Sequence, residues 1–149
     1  TFLSAFAKSQ IACGTILPSK GTVFISIDDD NKKFILTIVK KLIDLNFQIV
    51  ATKGTAKFLN DHNLKVETIN KVKEGGSHIV NAIADNKIDL VINTTKTQGS
   101  IRDSYSIRRT ALTFNIPYYT TIAGAKVAVD TIEHLKNNNL KVKSLQDLT

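Results

Sequence analysis

Residues 22–51 read TVFISIDDDNKKFILTIVKKLIDLNFQIVA, and this stretch decides the fold class. Residues 22–27 are an unbroken run of β-branched and apolar side chains, as in a strand buried on both faces. Asp28, Asp29 and Asp30 end it. From 31 to 45 the apolar period changes. Phe34, Ile35, Ile38, Leu42 and Leu45 fall on one helical face, with Lys32, Lys33, Lys40 and Lys41 mostly away from it. Asp30 is placed to cap that helix. Residues 47–51 then form a second apolar strand. Strand, helix and strand in succession make a crossover unit with parallel strands.

Outward from this unit the alternation repeats. Residues 55–62 read as a short helix opened by Gly54, and 66–69 as a short third strand. Residues 78–86 form a helix after the Gly75-Gly76 turn, and 88–92 a fourth strand. Residues 103–115 form a helix with Ile107, Ala111, Leu112 and Phe114 toward the core. Residues 117–120 are a fifth strand and 123–136 a last long helix. Asn137, Asn138 and Asn139 read as a turn, and 142–148 as a return across the surface in a strand or short helix. The expected class is α/β: a Rossmann-like, doubly wound, five-stranded and mainly parallel sheet with helices on both faces. Residues 1–20 differ. Phe2, Leu3, Ala5 and Phe6 fit one helical face before Cys13-Gly14 and Pro18 break the pattern, so a short helix and linker precede a domain spanning 21–149.

With 149 residues, 42% of them hydrophobic and 22% charged, the chain is one domain with a real core. No apolar run reaches the length of a membrane span, and no signal peptide is visible. The single Cys13 rules out a disulfide framework and a cysteine zinc cluster, and the reading is cytoplasmic. There is no Met, so the chain is expected to be a piece of something larger. Twenty Lys and Arg stand against 13 Asp and Glu, a net charge of +7 that suits an anionic partner. No basic and aromatic stripe interleaves as in base-stacking surfaces, so nucleic acid is not the expected partner.

In open parallel sheets, ligands bind beyond the carboxyl ends of the strands. Strand one ends at Ser26 and is followed by Lys32. Strand two ends at Thr52-Lys53-Gly54-Thr55, and strand three runs into Asn70-Lys71. Strand four ends at Asn93-Thr94-Thr95, and strand five at Thr120-Thr121. The sharpest piece is Thr52-x-Gly54-Thr55: a glycine and two hydroxyls at a helix N-terminus form an anion pocket, with Lys32 and Lys71 adding charge. Plain helix capping by the threonines is the alternative. With Asn93, Thr94, Thr95 and Lys71 on the same rim, phosphate binding is the better reading. No GxGxxG and no GxxxxGK(S/T) is present, so neither a dinucleotide nor a Walker-type triphosphate site is indicated.

Other groups offer less. Asp28, Asp29 and Asp30 lack the further acid that a receiver-type metal site needs, because Ile69-Asn70 stand there, so solvated acids and a cap explain them better. His62, His78 and His134 have no zinc-ligand spacing. Cys13 has no nearby histidine to activate it. Arg108-Arg109, inside a helix, suits a structural ion pair, with one arginine facing the rim as the alternative. Asp103, at a helix start, either caps the helix or binds a ligand hydroxyl.

Several segments together resemble one family. They are Asn93-Thr94-Thr95, then Ile101-Arg102-Asp103-Ser104 and Ile107-Arg108-Arg109-Thr110-Ala111-Leu112. With them stand Ala51-Thr52-Lys53-Gly54-Thr55-Ala56, Asn70-Lys71-Val72-Lys73-Glu74-Gly75 and Tyr119-Thr120-Thr121. In order and content they are similar to the C-terminal regulatory domain of the carbamoyl phosphate synthetase large subunit, which has the methylglyoxal synthase-like fold. The resemblance runs from about Gly21 to the end, and TFLSAFAKSQ at 1–10 resembles the final helix of the preceding ATP-grasp synthetase domain.

The resemblance implies a part of an ATP-dependent ligase that makes carbamoyl phosphate for pyrimidine and arginine synthesis. Catalysis, with ATP and Mg or Mn, resides in other domains and in a glutaminase small subunit. No cofactor or metal is implied for this domain, which itself catalyses nothing. It implies an effector site for a nucleotide of UMP or IMP type at Ser26, Lys32, Thr52, Gly54, Thr55, Lys71, Asn93, Thr94, Thr95 and Asp103. Thr120 matches the family position near an ornithine contact. Enteric-type members carry two arginines where this chain has Gln98 and Gly99, with Lys96 and Arg102 as the nearest replacements, so the nucleotide's identity stays open. The alternative is methylglyoxal synthase itself, a lyase acting on dihydroxyacetone phosphate. Its aspartate base after the glycine turn is Ser77 here, and its histidine after strand one is Asp28.

Overall fold

In the computed structural model the described residues are 2–6, 17–69, 78–94 and 98–147, with backbone alone for 98–103 and 139–147. Helix α1 (residues 2–6) is followed by β1 (Thr22–Ser26), a 3₁₀ turn (Asp29–Asn31), α2 (Lys32–Asp44), β2 (Gln48–Ala51) and α3 (Lys53–Asp61). Then come β3 (Glu67–Thr68), α4 (Ile79–Ala84), β4 (Leu90–Asn93), α5 (Gln98–Thr113), β5 (Tyr118–Tyr119) and α6 (Ile122–Asp147).

The five strands form one sheet in the order β3-β2-β1-β4-β5, and every pairing is parallel. The chain winds outward from β1 to β3, crosses back to β4, and winds outward again to β5. Right-handed crossovers therefore place α2 and α3 on one face and α4 and α5 on the other. The core confirms it. Val23, Ile25, Ile49 and Ile92 pack with α2, α3 and α6, whereas Phe24 and Val91 pack with Ile79, Ile83 and Ile107 of α4 and α5. Alternate residues of β1 thus feed opposite layers. The expected doubly wound sheet is the observed one, and it is wholly parallel.

Asparagine stops the helices. Asn46, Asn63, Asn86 and Asn115 follow α2, α3, α4 and α5, each with φ between 57° and 69°. In each case the next residue donates its N–H back five residues: Phe47 to Leu42, Leu64 to Leu59, Lys87 to Ala82 and Ile116 to Ala111. This is the Schellman closure, with Asn in the left-handed place where glycine is common.

Several local expectations are corrected. The α2 helix starts after Asn31 and not at an Asp30 cap, because the acids form a 3₁₀ turn of their own. Phe34 is 51% exposed and lies under the Lys33 ammonium, which is 5.0 Å from the ring centroid. Leu112 is 66% exposed and Phe114 also faces solvent. Gly54 does not open α3; Thr52 is its N-cap and Gly54 lies in the first turn. The backbone of α6 runs without a break through Asn137, Asn138 and Asn139 to Asp147. Residues 2–6 touch the domain: Ser4 Oγ is 3.1 Å from His134 Nε2. No helix among the described residues is long and apolar enough to cross a membrane.

Candidate functional site

The strand order reverses between β1 and β4, so their carboxyl ends flank the crevice where open α/β sheets place ligands. Ser26 and Asn93 stand opposite each other in register, and the Thr94 N–H continues the ladder to the Ser26 carbonyl at 3.0 Å. Beside them β2 ends at Ala51, with Thr52, Gly54 and Thr55 opening α3. The fold thus gathers Ser26, Lys32, Thr52, Gly54, Thr55, Asn93 and Thr94 on one edge. Thr120 follows β5 on the same side of the sheet and is exposed. Lys71 and Thr95 lie outside the described residues. Asp103 is well inside α5, since that helix begins at Gln98, so it does not cap the helix start; its side chain is outside the described set.

The hydroxyls are buried and face one another. Thr52 occupies the N-cap in extended backbone but makes no side-chain cap hydrogen bond. Its hydroxyl donates to Thr55 Oγ1 at 3.3 Å, and Thr55 Oγ1 accepts the Ile27 N–H at 3.1 Å. Thr55, 1% exposed, therefore ties the first turn of α3 to the chain just beyond β1. Plain capping is not what these two side chains do. No acid stands in the first turn of α3, so nothing in that turn offsets its positive end.

A second brace crosses the switch point. The Thr94 hydroxyl donates to the Asp28 carboxylate at 2.9 Å and accepts the Asp28 N–H at 3.3 Å. Asn31 Nδ2 donates to the same carboxylate oxygen at 2.6 Å. Asn93, 3% exposed, turns inward: its Nδ2 donates to Ser104 Oγ and to the Tyr118 hydroxyl, each at 3.0 Å. Burial raises the Tyr118 pKa above its usual value, opposed by the Asn93 hydrogen bond and the Arg108 charge. Asp28, Ser104 and Tyr118 were not singled out as partners of the rim in the sequence. Only the adjacency of β1 with β4, and of β4 with β5, brings them there.

Lys32 supplies the accessible charge. A Cβ built on Gly54 would stand 3.8 Å from Lys32 Nζ, so the ammonium lies over the start of α3. It also pairs with Asp29 at 2.6 Å, and that hydrogen bond, then the lysine's charge, hold the Asp29 carboxyl below its ordinary range. A cation beside a helix N-terminus can hold an anion. At the end of β5, Thr121 Oγ1 accepts the Gly124 N–H at 3.0 Å and so caps α6, which leaves Thr120 as the outward residue. Thr120 lines a cavity of about 210 Å³ with Arg108, Tyr118 and Tyr119. Burial pushes the Tyr119 phenol up to about 12. A separate groove of about 270 Å³ lies between α2 and α6, floored by Phe34, Ile38, Ile122 and Val129, and holds none of the predicted site residues. There Lys41 is drawn above its usual pKa, chiefly by its hydrogen bond to Asp130. Among the described residues, no cluster of His, Cys, Asp and Glu is arranged to hold a metal ion.

A doubly wound parallel sheet with a hydroxyl-lined carboxyl edge defines the class: a Rossmann-like α/β domain. The family model of the MGS-like domain matches residues 34–120, more than half of the chain, and the chain belongs to that family. It is similar to the carbamoyl phosphate synthase large chain of Mesorhizobium japonicum, 45% identical over 146 residues that cover 98% of this chain and 12% of that protein. It is also similar to the C-terminal section of the large chain from Methanopyrus kandleri, 45% identical over 149 residues, covering 99% of this chain and 28% of that one. The chain thus spans only about an eighth of the length of the full large chains it matches. Methylglyoxal synthase from Elizabethkingia anophelis shares the fold, with a TM-score of 0.58 at 20% identity over 76% of this chain and 79% of that one.

Proposed function

We propose that the chain is the regulatory domain of a carbamoyl phosphate synthase large chain and binds a phosphorylated nucleotide of UMP or IMP type. Similarity to large chains along nearly its whole length supports the parent enzyme, a ligase. The observation that carries the ligand class is the Lys32 ammonium over the acid-free first turn of α3. The phosphate sits between Lys32 and that turn, and the resemblance adds Lys71 and Thr95 as expected ligands. The threonine braces fix where the turn stands. Ornithine approaches at Thr120. The domain catalyses no step itself. It acts on the preceding synthetase domain, and with it on the complex with the glutaminase small subunit, through an effector's differential affinity for two states of the enzyme.

The test is calorimetric titration with UMP, IMP, ornithine and inorganic phosphate, with a methylglyoxal assay on dihydroxyacetone phosphate alongside. Saturable nucleotide binding that is weakened in Lys32→Gln and in Lys71→Ala is the expected result. Unchanged affinity in both variants would remove the site, and methylglyoxal formation would replace a regulatory domain by a lyase.

A further inference from the structure

The cation of the anion site is already occupied. Asp29 Oδ1 lies 2.6 Å from Lys32 Nζ, and the two partners are unequal. The lysine side chain is 22% exposed and packed into the rim, whereas the aspartate is 92% exposed. The backbone presenting Asp29 is fixed on both sides. Asp28 before it is held by Thr94 and Asn31, and the Asn31 N–H closes the 3₁₀ turn on the Asp28 carbonyl at 3.1 Å. Neither α2 nor α3 carries an acid in its first turn. Asp29 therefore brings a carboxylate to the rim from the loop between β1 and α2, and it is free to swing into solvent.

We infer that Asp29 is an internal counter-ion, a stand-in carboxylate that holds Lys32 until a phosphate takes its place. The inference deepens the effector-binding reading and rests on it. Binding becomes an exchange of anions, so apparent affinity falls by the share of Lys32 that Asp29 engages. Exposed pairs of this kind shift equilibria only modestly, so Asp29 sets a threshold and does not close the site. It also confers selectivity. A phosphate dianion outcompetes a single carboxylate for one ammonium, while a ligand carboxylate gains little over the one already there.

The experiment is titration of this chain with inorganic phosphate and with UMP at fixed ionic strength. The variants are Asp29→Asn, Asp30→Asn, Lys32→Gln and the Asp29→Asn/Lys32→Gln pair. Asp29→Asn is expected to tighten phosphate binding about two- to fivefold. Asp30→Asn removes an equal charge from the same turn and reports the general field, so its gain is expected to be smaller. In the Lys32→Gln background the Asp29 effect is expected to vanish. Equal gains from Asp29→Asn and Asp30→Asn, or a gain that survives loss of Lys32, would overturn the counter-ion role and leave the effector site standing. Native affinity in Lys32→Gln, or no phosphate binding by either the native chain or Asp29→Asn, would remove the site and the inference together.

Discussion

Thr55→Val replaces a buried hydroxyl by a methyl of nearly equal volume, and it separates a threonine that braces the chain from one that only awaits a ligand. The Ile27 N–H points at Thr55 Oγ1 from 3.1 Å, and Ile27 is buried. Without that oxygen the N–H has no acceptor there and no ready access to water. An orphaned buried donor costs about 1–3 kcal/mol. The added methyl returns up to about 0.8 kcal/mol of burial. The net loss is about 1–2 kcal/mol, a roughly 5- to 30-fold fall in the folded-to-unfolded ratio. Urea unfolding followed by circular dichroism measures it, with an unchanged slope showing that the shift is one of stability. The melting temperature is expected to fall by about 2–8 °C. A variant as stable as the native chain would refute the brace and return Thr55 to the role of ligand donor alone.

Asn93→Ala takes the shared donor from Ser104 and Tyr118, and is expected to cost about 1–3 kcal/mol in the same unfolding assay. Because the Asn93 hydrogen bond lowers the Tyr118 pKa, the same variant should raise it further in an ultraviolet phenolate titration. Gly21→Ala meets two obstacles: φ is +124°, and the new Cβ would stand 1.9 Å from Asp89 Oδ2, which accepts the Thr22 N–H. A loss of about 1–3 kcal/mol is expected, and native stability would show that the entry to β1 is not constrained. Tyr119, raised by burial from 10.0 to about 12, favours the neutral phenol in the folded state. Its contribution is therefore complete below pH 10 and lost as pH rises toward 12. Tyr119→Phe should flatten that alkaline decline of stability, and an unaltered profile would assign the decline elsewhere.

The sheet was legible because parallel strands announce themselves as continuous apolar runs, and residues 22–27 are one. The helices were legible where periodicity governed. Ile107 and Ala111 do face the core, but Leu112 lies well around the helix from them, and Phe114 stands past Thr113, the last helical residue, where the helical period no longer directs it. Phe34 sits at the margin of its stripe, and Lys33 covers it in place of the core. Asparagine shows why composition alone misplaces ends. After α2, α3 and α5 a single Asn in left-handed backbone is followed by an apolar residue: Phe47, Leu64 or Ile116. Turning there keeps an apolar side chain with the core. At Asn138 the amide instead meets His134 one turn back, Nδ2 to Nε2 at 3.0 Å, and the helix continues.

The site was legible as a collection of residue types, and not as a division of labour. Strand ends in an open sheet collect polar residues on one rim whatever the strand order, so Ser26, Thr52, Asn93 and Thr94 could be grouped from sequence. Which of them face inward depends on which strands are neighbours, and Asp28 and Thr94 are 66 residues apart along the chain. That division has a consequence for mutagenesis. Thr55, Thr94 and Asn93 are buried side chains that hold hydrogen bonds across the rim, so removing any of them loosens the frame, and a loss of ligand affinity would mix stability with contact. Lys32 and Asp29 lie outside those bonds, on the solvent side of the rim. Substituting them changes the charge offered to a phosphate while Ile27, Thr55, Asp28 and Thr94 keep their partners. Binding changes at Lys32 and Asp29, measured against unfolding changes at Thr55 and Asn93, therefore separate what the rim recognises from what holds it in place.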